Sequence, residues 1–160
     1  MKKGIVNIEF MISVFVFLVT ISFILLTLAG SLAPLHRDAS LNSLRSVGYQ
    51  LSQVILFDEG DPKNWDTISV NRAGVSSGEK YLASSAKIAN FNATCAANYS
   101  KLLDMYFGNK RLLFKVNITD SSGRNMLNCG NVNNPQFSIR RLAVLDTTRD
   151  IIEIEVSVRE

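Results

Sequence analysis

A long uncharged run near the amino terminus constrains this chain more than any other feature. From Phe10 to Ala29 no side chain is charged, and the polar side chains carry hydroxyls only, on Ser13, Thr20, Ser22 and Thr27. A helix of about twenty residues is roughly 30 Å long, which matches the hydrocarbon core of a bilayer. The run therefore predicts a membrane-spanning helix. Lys2 and Lys3 precede it and predict a cytoplasmic amino end, with the rest of the chain outside the cell.

Gly4 and Glu9, which both precede this run, distinguish it from an ordinary membrane anchor. An ionised side chain costs about 3 kcal/mol at the centre of a membrane helix and less near its end, so Glu9 needs compensation. If the chain were cut after Gly4, Glu9 would lie about one helical turn from a new, positively charged amino terminus at Ile5. A cleaved secretory signal fits poorly, because its apolar core spans about 7–15 residues and the small-residue site at 31–33 is followed by Pro34.

The amino-terminal residues resemble the class III signal peptide of type IV prepilins, and its archaeal version in particular. The basic pair Lys2 and Lys3, the cleavage residue Gly4, the carboxylate of Glu9 and the apolar run carry the resemblance. It implies that a prepilin peptidase cuts between Gly4 and Ile5 and leaves the apolar helix on the mature subunit. It also implies that Glu9 pairs with the Ile5 amine of a neighbouring subunit during assembly. Ile5 stands where bacterial pilins usually have Phe, which favours the archaeal branch.

The resemblance implies a structural subunit of a surface filament, stored in the cell membrane by a single span and then assembled. Its partners would be other pilin subunits, the prepilin peptidase, the pilus assembly platform and the membrane. A large α+β head suggests a minor pilin or pseudopilin, because abundant archaeal subunits often carry compact β-sandwich heads. Adhesion, secretion, DNA uptake and motility all stay open. The alternative is a single-pass anchored extracellular binding protein, which would retain Met1–Gly4 and have no use for Glu9.

Length and charge predict one external domain. We expect a signal segment at 1–4, a transmembrane or filament-core helix at 5–33 and a globular head at 34–160, near the usual domain size. Removing Lys2 and Lys3 from the 17 basic residues leaves 15 against 14 acidic residues. The mature chain is therefore nearly neutral, and with no basic patch interleaved with aromatics we expect no nucleic-acid binding.

The periodicity of the head predicts an α+β fold. Apolar residues at helical spacing extend the first helix to Phe57, with either a bend or a break into two helices near Pro34. Two short helices are expected at 82–91 and 96–107. Alternating apolar residues predict strands at 111–119, 124–128, 137–145 and 151–158. We expect these strands to form an antiparallel sheet with one wet side, packed on the amphipathic half of the long helix.

Two kinds of covalent modification are expected in the head. Cys95 and Cys129 are an even pair in an external domain, which predicts a disulfide worth about 3–4 kcal/mol, with two unpaired buried thiols as the alternative. Three Asn-X-Ser/Thr sequons make Asn92, Asn98 and Asn117 possible glycan acceptors in a host with an N-glycosylation pathway.

Catalytic chemistry has little support in the sequence. His36 is the only histidine and lies near the membrane segment, and no phosphate loop, nucleophile elbow or zinc pattern occurs, so we expect neither an enzyme nor a cofactor. Trp65 is expected to cap the core, with a surface adhesion role as the alternative. Calcium needs six to eight oxygen ligands, and an acidic cluster in one loop is more typical of solvated turn residues: Asp58, Glu59, Asp61 and Asp66.

Overall fold

The structure is a computed structural model that describes residues 3–108 and 112–160, without the side chains of residues 3–7 and 31–37. Helix α1 runs from Lys3 to Phe57 and includes residues 30–34, where the sequence left open a break into two helices. The chain divides into two compact units between Ser40 and Leu41. The first unit holds the apolar part of α1, and the second holds the rest of α1 and all other elements.

The second unit confirms the expected α+β class. After α1 come β1 (Leu82–Ala83), α2 (Ser85–Phe107), β2 (Leu113–Asp120), β3 (Asn125–Cys129), β4 (Phe137–Leu145) and β5 (Ile151–Arg159). The strands that the alternating pattern predicted are all present, within about two residues of their expected ends, because a half-buried strand must alternate apolar and polar residues.

The sheet is mixed and not wholly antiparallel, which corrects the expectation from sequence. Its strand order is β1-β4-β5-β2-β3. The pairs β4·β5, β5·β2 and β2·β3 are antiparallel, whereas β1 pairs with β4 in parallel through Leu82↔Val144 and Ala83↔Leu145. A strand of two residues has no detectable periodicity, so only the tertiary pairing defines β1.

One face of the sheet packs against the carboxyl-terminal part of α1. Ile55 and Leu56 of α1 are completely buried in the same apolar core as Phe114 and Ile154 of the sheet. Gly48 permits this close approach, because a Cβ atom there would lie 2.5 Å from a ring carbon of Phe137. The other face is mainly polar, as expected, although Leu142 is exposed on it, and Arg140 of β4 reaches Glu153 (3.4 Å) and Glu155 (3.7 Å) on the adjacent β5.

Helix α2 contains the two short helices expected from sequence, joined at a kink, but its start and the position of the break differ from the expectation. It begins only at Ser85, because the preceding residues form β1, and it continues through the segment 92–95 that was expected to separate the two helices. Thr94 is buried there, so packing of this turn maintains the helix. The interruption comes instead at Asn98, the non-helical residue inside α2, with φ −156° and ψ 80°.

The loop between α1 and β1 is irregular but firmly packed. Trp65 is 1% exposed, which confirms that it caps the core and excludes the surface alternative. Its indole nitrogen donates a hydrogen bond to the Gly74 carbonyl (3.0 Å), and the Asn90 side chain donates to the Trp65 carbonyl (3.0 Å). A Cβ atom on Gly74 would lie 2.1 Å from the Asp58 carbonyl oxygen, so the chain passes itself too closely there for any other residue.

Candidate functional site

The predicted cleavage site lies largely outside the described residues. Lys2 falls outside them, and for Lys3, Gly4 and Ile5 only the helical backbone at the start of α1 is described. The roles of these residues in membrane orientation and cleavage therefore stay predictions.

Glu9 lies on α1 among exposed apolar side chains. Its backbone carbonyl accepts a hydrogen bond from the Ser13 hydroxyl (2.9 Å). Within the described part of the chain its carboxylate has no hydrogen bond or ion pair. An ionised group in apolar surroundings is unfavourable without a counter-charge, so this carboxylate requires a partner whenever the segment enters a membrane.

The segment Ile8–Gly30 is long and apolar enough to cross a membrane, and none of its most apolar window is buried in the protein. Length and composition alone are weak indications, because a signal sequence or a core helix of a soluble protein passes the same test. The described side chains here are exposed, with Phe10 at 69% and Leu26 at 73%, so this segment is not a core helix of the unit described. An exposed apolar surface of this extent needs lipid or other helices around it.

Three hydroxyl side chains in this segment, those of Ser13, Thr20 and Thr27, are satisfied within the helix. The hydroxyls of Ser13 and Thr20 donate to carbonyls four residues earlier, and the Thr27 hydroxyl donates to the carbonyls of Phe23 (3.1 Å) and Ile24 (2.8 Å). A hydroxyl bonded to its own helix costs little in hydrocarbon. Glu9 is therefore the described group of this segment that most needs an external partner.

The predicted disulfide joins α2 to β3. The Cα atoms of Cys95 and Cys129 are 5.7 Å apart and their sulfurs are bonded, which excludes the alternative of two free thiols. Next to the bridge, the Tyr99 hydroxyl donates to the Phe114 carbonyl (2.6 Å). The bridge and this hydrogen bond both fasten α2 to the edge of the sheet.

The acidic residues of the loop after α1 do not converge on one point. Among the residues described, no group of three or more His, Cys, Asp or Glu side chains is placed to hold a metal ion. Each acidic side chain instead has its own partner: Arg72 for Asp58, Lys63 for Glu59, Asn71 for Asp61 and Ser69 for Asp66. These contacts shape the loop, as expected for turn residues.

An open depression of about 530 Å³ lies at the end of α1, beside this loop. Glu59 and Lys63 line it, as do Asp58 and Arg72, and these charges form the two ion pairs of the loop. The depression therefore presents mutually neutralised charges and no convergent set of unpaired groups.

Sequence reasoning missed two polar residues that organise the head. Lys87 of α2 donates to the carbonyls of Glu59 (2.7 Å) and Ser76 (2.8 Å), and desolvation lowers its pKa although Glu59 and Asp58 oppose the shift. The Tyr106 hydroxyl donates to the Ala73 carbonyl (2.6 Å), and desolvation, reinforced by Asp58, raises its pKa. These contacts bridge distant parts of the chain, and no local pattern signals them.

The three sequon asparagines have different surroundings. Asn92 is exposed in the first half of α2, and Asn98 is exposed at the interruption of this helix. Asn117 is half-buried in β2 between two neighbouring strands, and its buried Oδ1 has no hydrogen bond to any residue that the structure describes.

No protein-family model, curated protein or solved structure matches this chain. The geometry of the two units and the amino-terminal sequence are therefore the basis for assigning a function.

Proposed function

We propose that this chain is a subunit of an archaeal type IV pilus-like surface filament, either a minor pilin or a pseudopilin. The single observation that carries the proposal is Glu9, a carboxylate without a described partner at the entrance of an exposed apolar helix. The sequence before it, Lys2-Lys3-Gly4, supplies the elements of a prepilin cleavage site. The disulfide-bonded α+β unit that follows suits a head outside the cell.

Cleavage and assembly would together provide the partner that Glu9 needs. Cutting after Gly4 creates an ammonium group on Ile5, and in a filament the apolar helices exchange lipid for one another. Glu9 of one subunit then meets the Ile5 ammonium of the next. In apolar surroundings such a pair fixes the axial register, because any other stagger leaves a charge without its partner.

The decisive experiment is co-expression of the full chain with an archaeal prepilin peptidase, followed by measurement of the intact mass. We expect the product to lack Met1–Gly4. A Gly4→Trp variant serves as the matched control and should stay uncut, because a bulky side chain replaces the small cleavage residue.

An uncut native chain, under conditions that process a known prepilin, would contradict the proposal. It would favour the alternative, a single-pass anchored extracellular binding protein that retains its first four residues. In that case no assembly role would remain for Glu9.

A Glu9→Gln variant tests the assembly step separately. We expect normal expression and cleavage but strongly reduced incorporation into filaments, because the amide keeps the size of the side chain and removes its charge. Quantifying the variant in sheared surface filaments against the membrane fraction measures the effect.

Ser13→Ala is the matched control for this variant, since Ser13 lies one turn further along and its hydroxyl bonds only within its own helix. It should assemble normally. Equal incorporation of Glu9→Gln and the native chain would refute the proposed pairing.

A further inference from the structure

The three sequons differ in whether the folded protein presents them to a modifying enzyme. A sequon is defined by two side chains, the acceptor asparagine and the hydroxyl residue two positions later. Both must be accessible for the folded head to be modified. The structure separates the three sites on this criterion.

The sequon at Asn92 exposes its asparagine but not its hydroxyl residue. Asn92 is exposed, but Thr94 is 2% exposed and its hydroxyl donates to the Asn90 carbonyl (2.8 Å). Both residues are inside a helical turn of α2. Presenting Thr94 would require this part of the helix to unfold.

The sequon at Asn117 lies inside the sheet. Asn117 pairs with Asn128 on β3 and with Glu155 on β5, so strands flank it on both sides. It is half-buried, as is Thr119, and Ile118 between them is fully buried. Presenting this site would require β2 to leave the sheet.

The sequon at Asn98 is fully presented. Asn98 has extended backbone angles at the interruption of α2, and both Asn98 and Ser100 are exposed. Tyr99 between them turns inward, where its hydroxyl bonds to the Phe114 carbonyl. The two side chains that define the sequon therefore stand on the surface together, and the Ser100 hydroxyl donates to Asn98 Oδ1 (2.7 Å).

The hydrogen bonds of Asn98 leave its nitrogen available. Oδ1 caps the second half of α2 by accepting from the Lys101 backbone N–H (3.0 Å) and from the Ser100 hydroxyl. Nδ2 makes no hydrogen bond within the described ranges 3–108 and 112–160. A substituent on Nδ2 would therefore keep the cap intact.

We propose that Asn98 is the N-glycan acceptor of this protein and that Asn92 and Asn117 stay unmodified. In the transfer, Asn98 Nδ2 forms a bond to the anomeric carbon of a lipid-phosphate-linked oligosaccharide. The bond from that carbon to the phosphate oxygen breaks, the lipid phosphate leaves with the electron pair, and the amide gives one proton to a base of the transferase. The inference rests on the outward orientation of the head, which the proposed function includes.

The surface that leads to Asn98 has room for a glycan. The exposed residues of α2 before it are small and uncharged, namely Ala86, Ala89, Asn92, Ala93, Ala96 and Ala97. No long side chain of this set crowds the acceptor, and a hydrophilic glycan would cover an otherwise uncharged helix face.

The test is expression of the full chain in an archaeal host with an N-glycosylation pathway, with intact mass and glycopeptide mapping as readouts. We expect one glycan, on Asn98. It should disappear completely in Asn98→Asp, which keeps an oxygen to cap the helix, and in Ser100→Ala, which keeps Asn98 itself. Ser100→Thr and Asn92→Gln should retain it.

Two results would overturn the inference. One is a glycan on Asn92 or Asn117, and the other is an unmodified chain at the surface of a host that glycosylates its own proteins. An oxidised Cys95–Cys129 pair in that chain would show that the head had reached the outside, so only this inference fails. The mass of the amino-terminal peptide tests the proposed cleavage independently, and a head retained inside the cell would overturn both.

Discussion

Tyr106 illustrates how single residues hold the irregular part of the head. Its ring lies against Phe114, with centroids 5.7 Å apart, and its hydroxyl bonds to the carbonyl of the fully buried Ala73. Backbone hydrogen bonds such as Asp61 N–H to the Arg72 carbonyl (2.8 Å) hold the loop after α1, and the α2 side chains of Tyr106 and Lys87 bind further carbonyls of it. Removing the hydrogen bond of either side chain should therefore lower the free energy of unfolding of the head.

Tyr106→Phe should destabilise the head by about 1–3 kcal/mol, because the buried Ala73 carbonyl loses its donor while the ring is kept. Trp65 is the single tryptophan and is buried, so its fluorescence reports unfolding of the head in urea. The matched control is Tyr81→Phe, at a residue that is 55% exposed, and it should change stability by less than about 0.5 kcal/mol. Equal unfolding midpoints for the two variants would contradict this account.

Residues were predictable from sequence where their chemistry admits few environments. Cys95 and Cys129 form their disulfide, and Trp65 is buried, as expected. Lys87 was not predictable, because its partners Glu59 and Ser76 are 28 and 11 residues away in sequence. Such contacts depend on how the loop folds back over α2, and the amino-acid sequence near Lys87 has no pattern that predicts this.

At the scale of elements, the sequence predicted what periodicity encodes. Strands β2 to β5 and the long helix α1 repeat their apolar residues often enough to be recognised. Strand β1 and the position of the break inside α2 were missed, since two residues cannot show a period and Thr94 is held in the helix by burial. The interruption of α2 falls instead at Asn98, whose side chain caps the following turn.

The disulfide is the strongest single link between α2 and the sheet. Replacing both cysteines in Cys95→Ser/Cys129→Ser should lower the free energy of unfolding by about 3–4 kcal/mol. Without the bridge the unfolded chain is no longer closed into a loop, so its conformational entropy rises. Urea unfolding followed by Trp65 fluorescence measures the loss.

Reductant provides the control for this prediction. It should move the midpoint of the native chain to that of the double variant and leave the double variant unchanged. A native midpoint that is insensitive to reductant would show that the bridge does not support the fold.

For the whole molecule, aspartate carboxylates in turns make the free energy of unfolding depend on pH. Hydrogen bonds lower the pKa of three aspartates, Asp66, Asp120 and Asp146. Asp66 accepts hydrogen bonds from Ser69, and the largest contribution at Asp120 comes from the Ser122 hydroxyl. At Asp146 burial opposes the shift, and hydrogen bonds led by the Ser85 backbone N–H outweigh it. The folded state therefore binds protons less readily than the unfolded state, whose carboxyls keep a pKa near 3.8.

The head should consequently be most stable above the unfolded pKa and lose stability as the pH falls through the lowered folded values. We expect a lower urea midpoint at about pH 2.5 than at about pH 6. Asp120→Asn should lower the midpoint at the higher pH and reduce the difference between the two conditions. If the difference between the two urea midpoints were the same in Asp120→Asn as in the native chain, Asp120 would not contribute to the pH dependence of stability.

The turn between β2 and β3 has a practical consequence for watching this molecule at work. Ser121 is exposed, and a Cβ atom on the neighbouring Gly123 would meet nothing within 4 Å. Both native cysteines are bonded to each other, so a Ser121→Cys variant would offer the one reactive thiol of the chain. A maleimide dye placed there, far in sequence from both Glu9 and Asn98, would let individual molecules be followed by fluorescence microscopy on living cells.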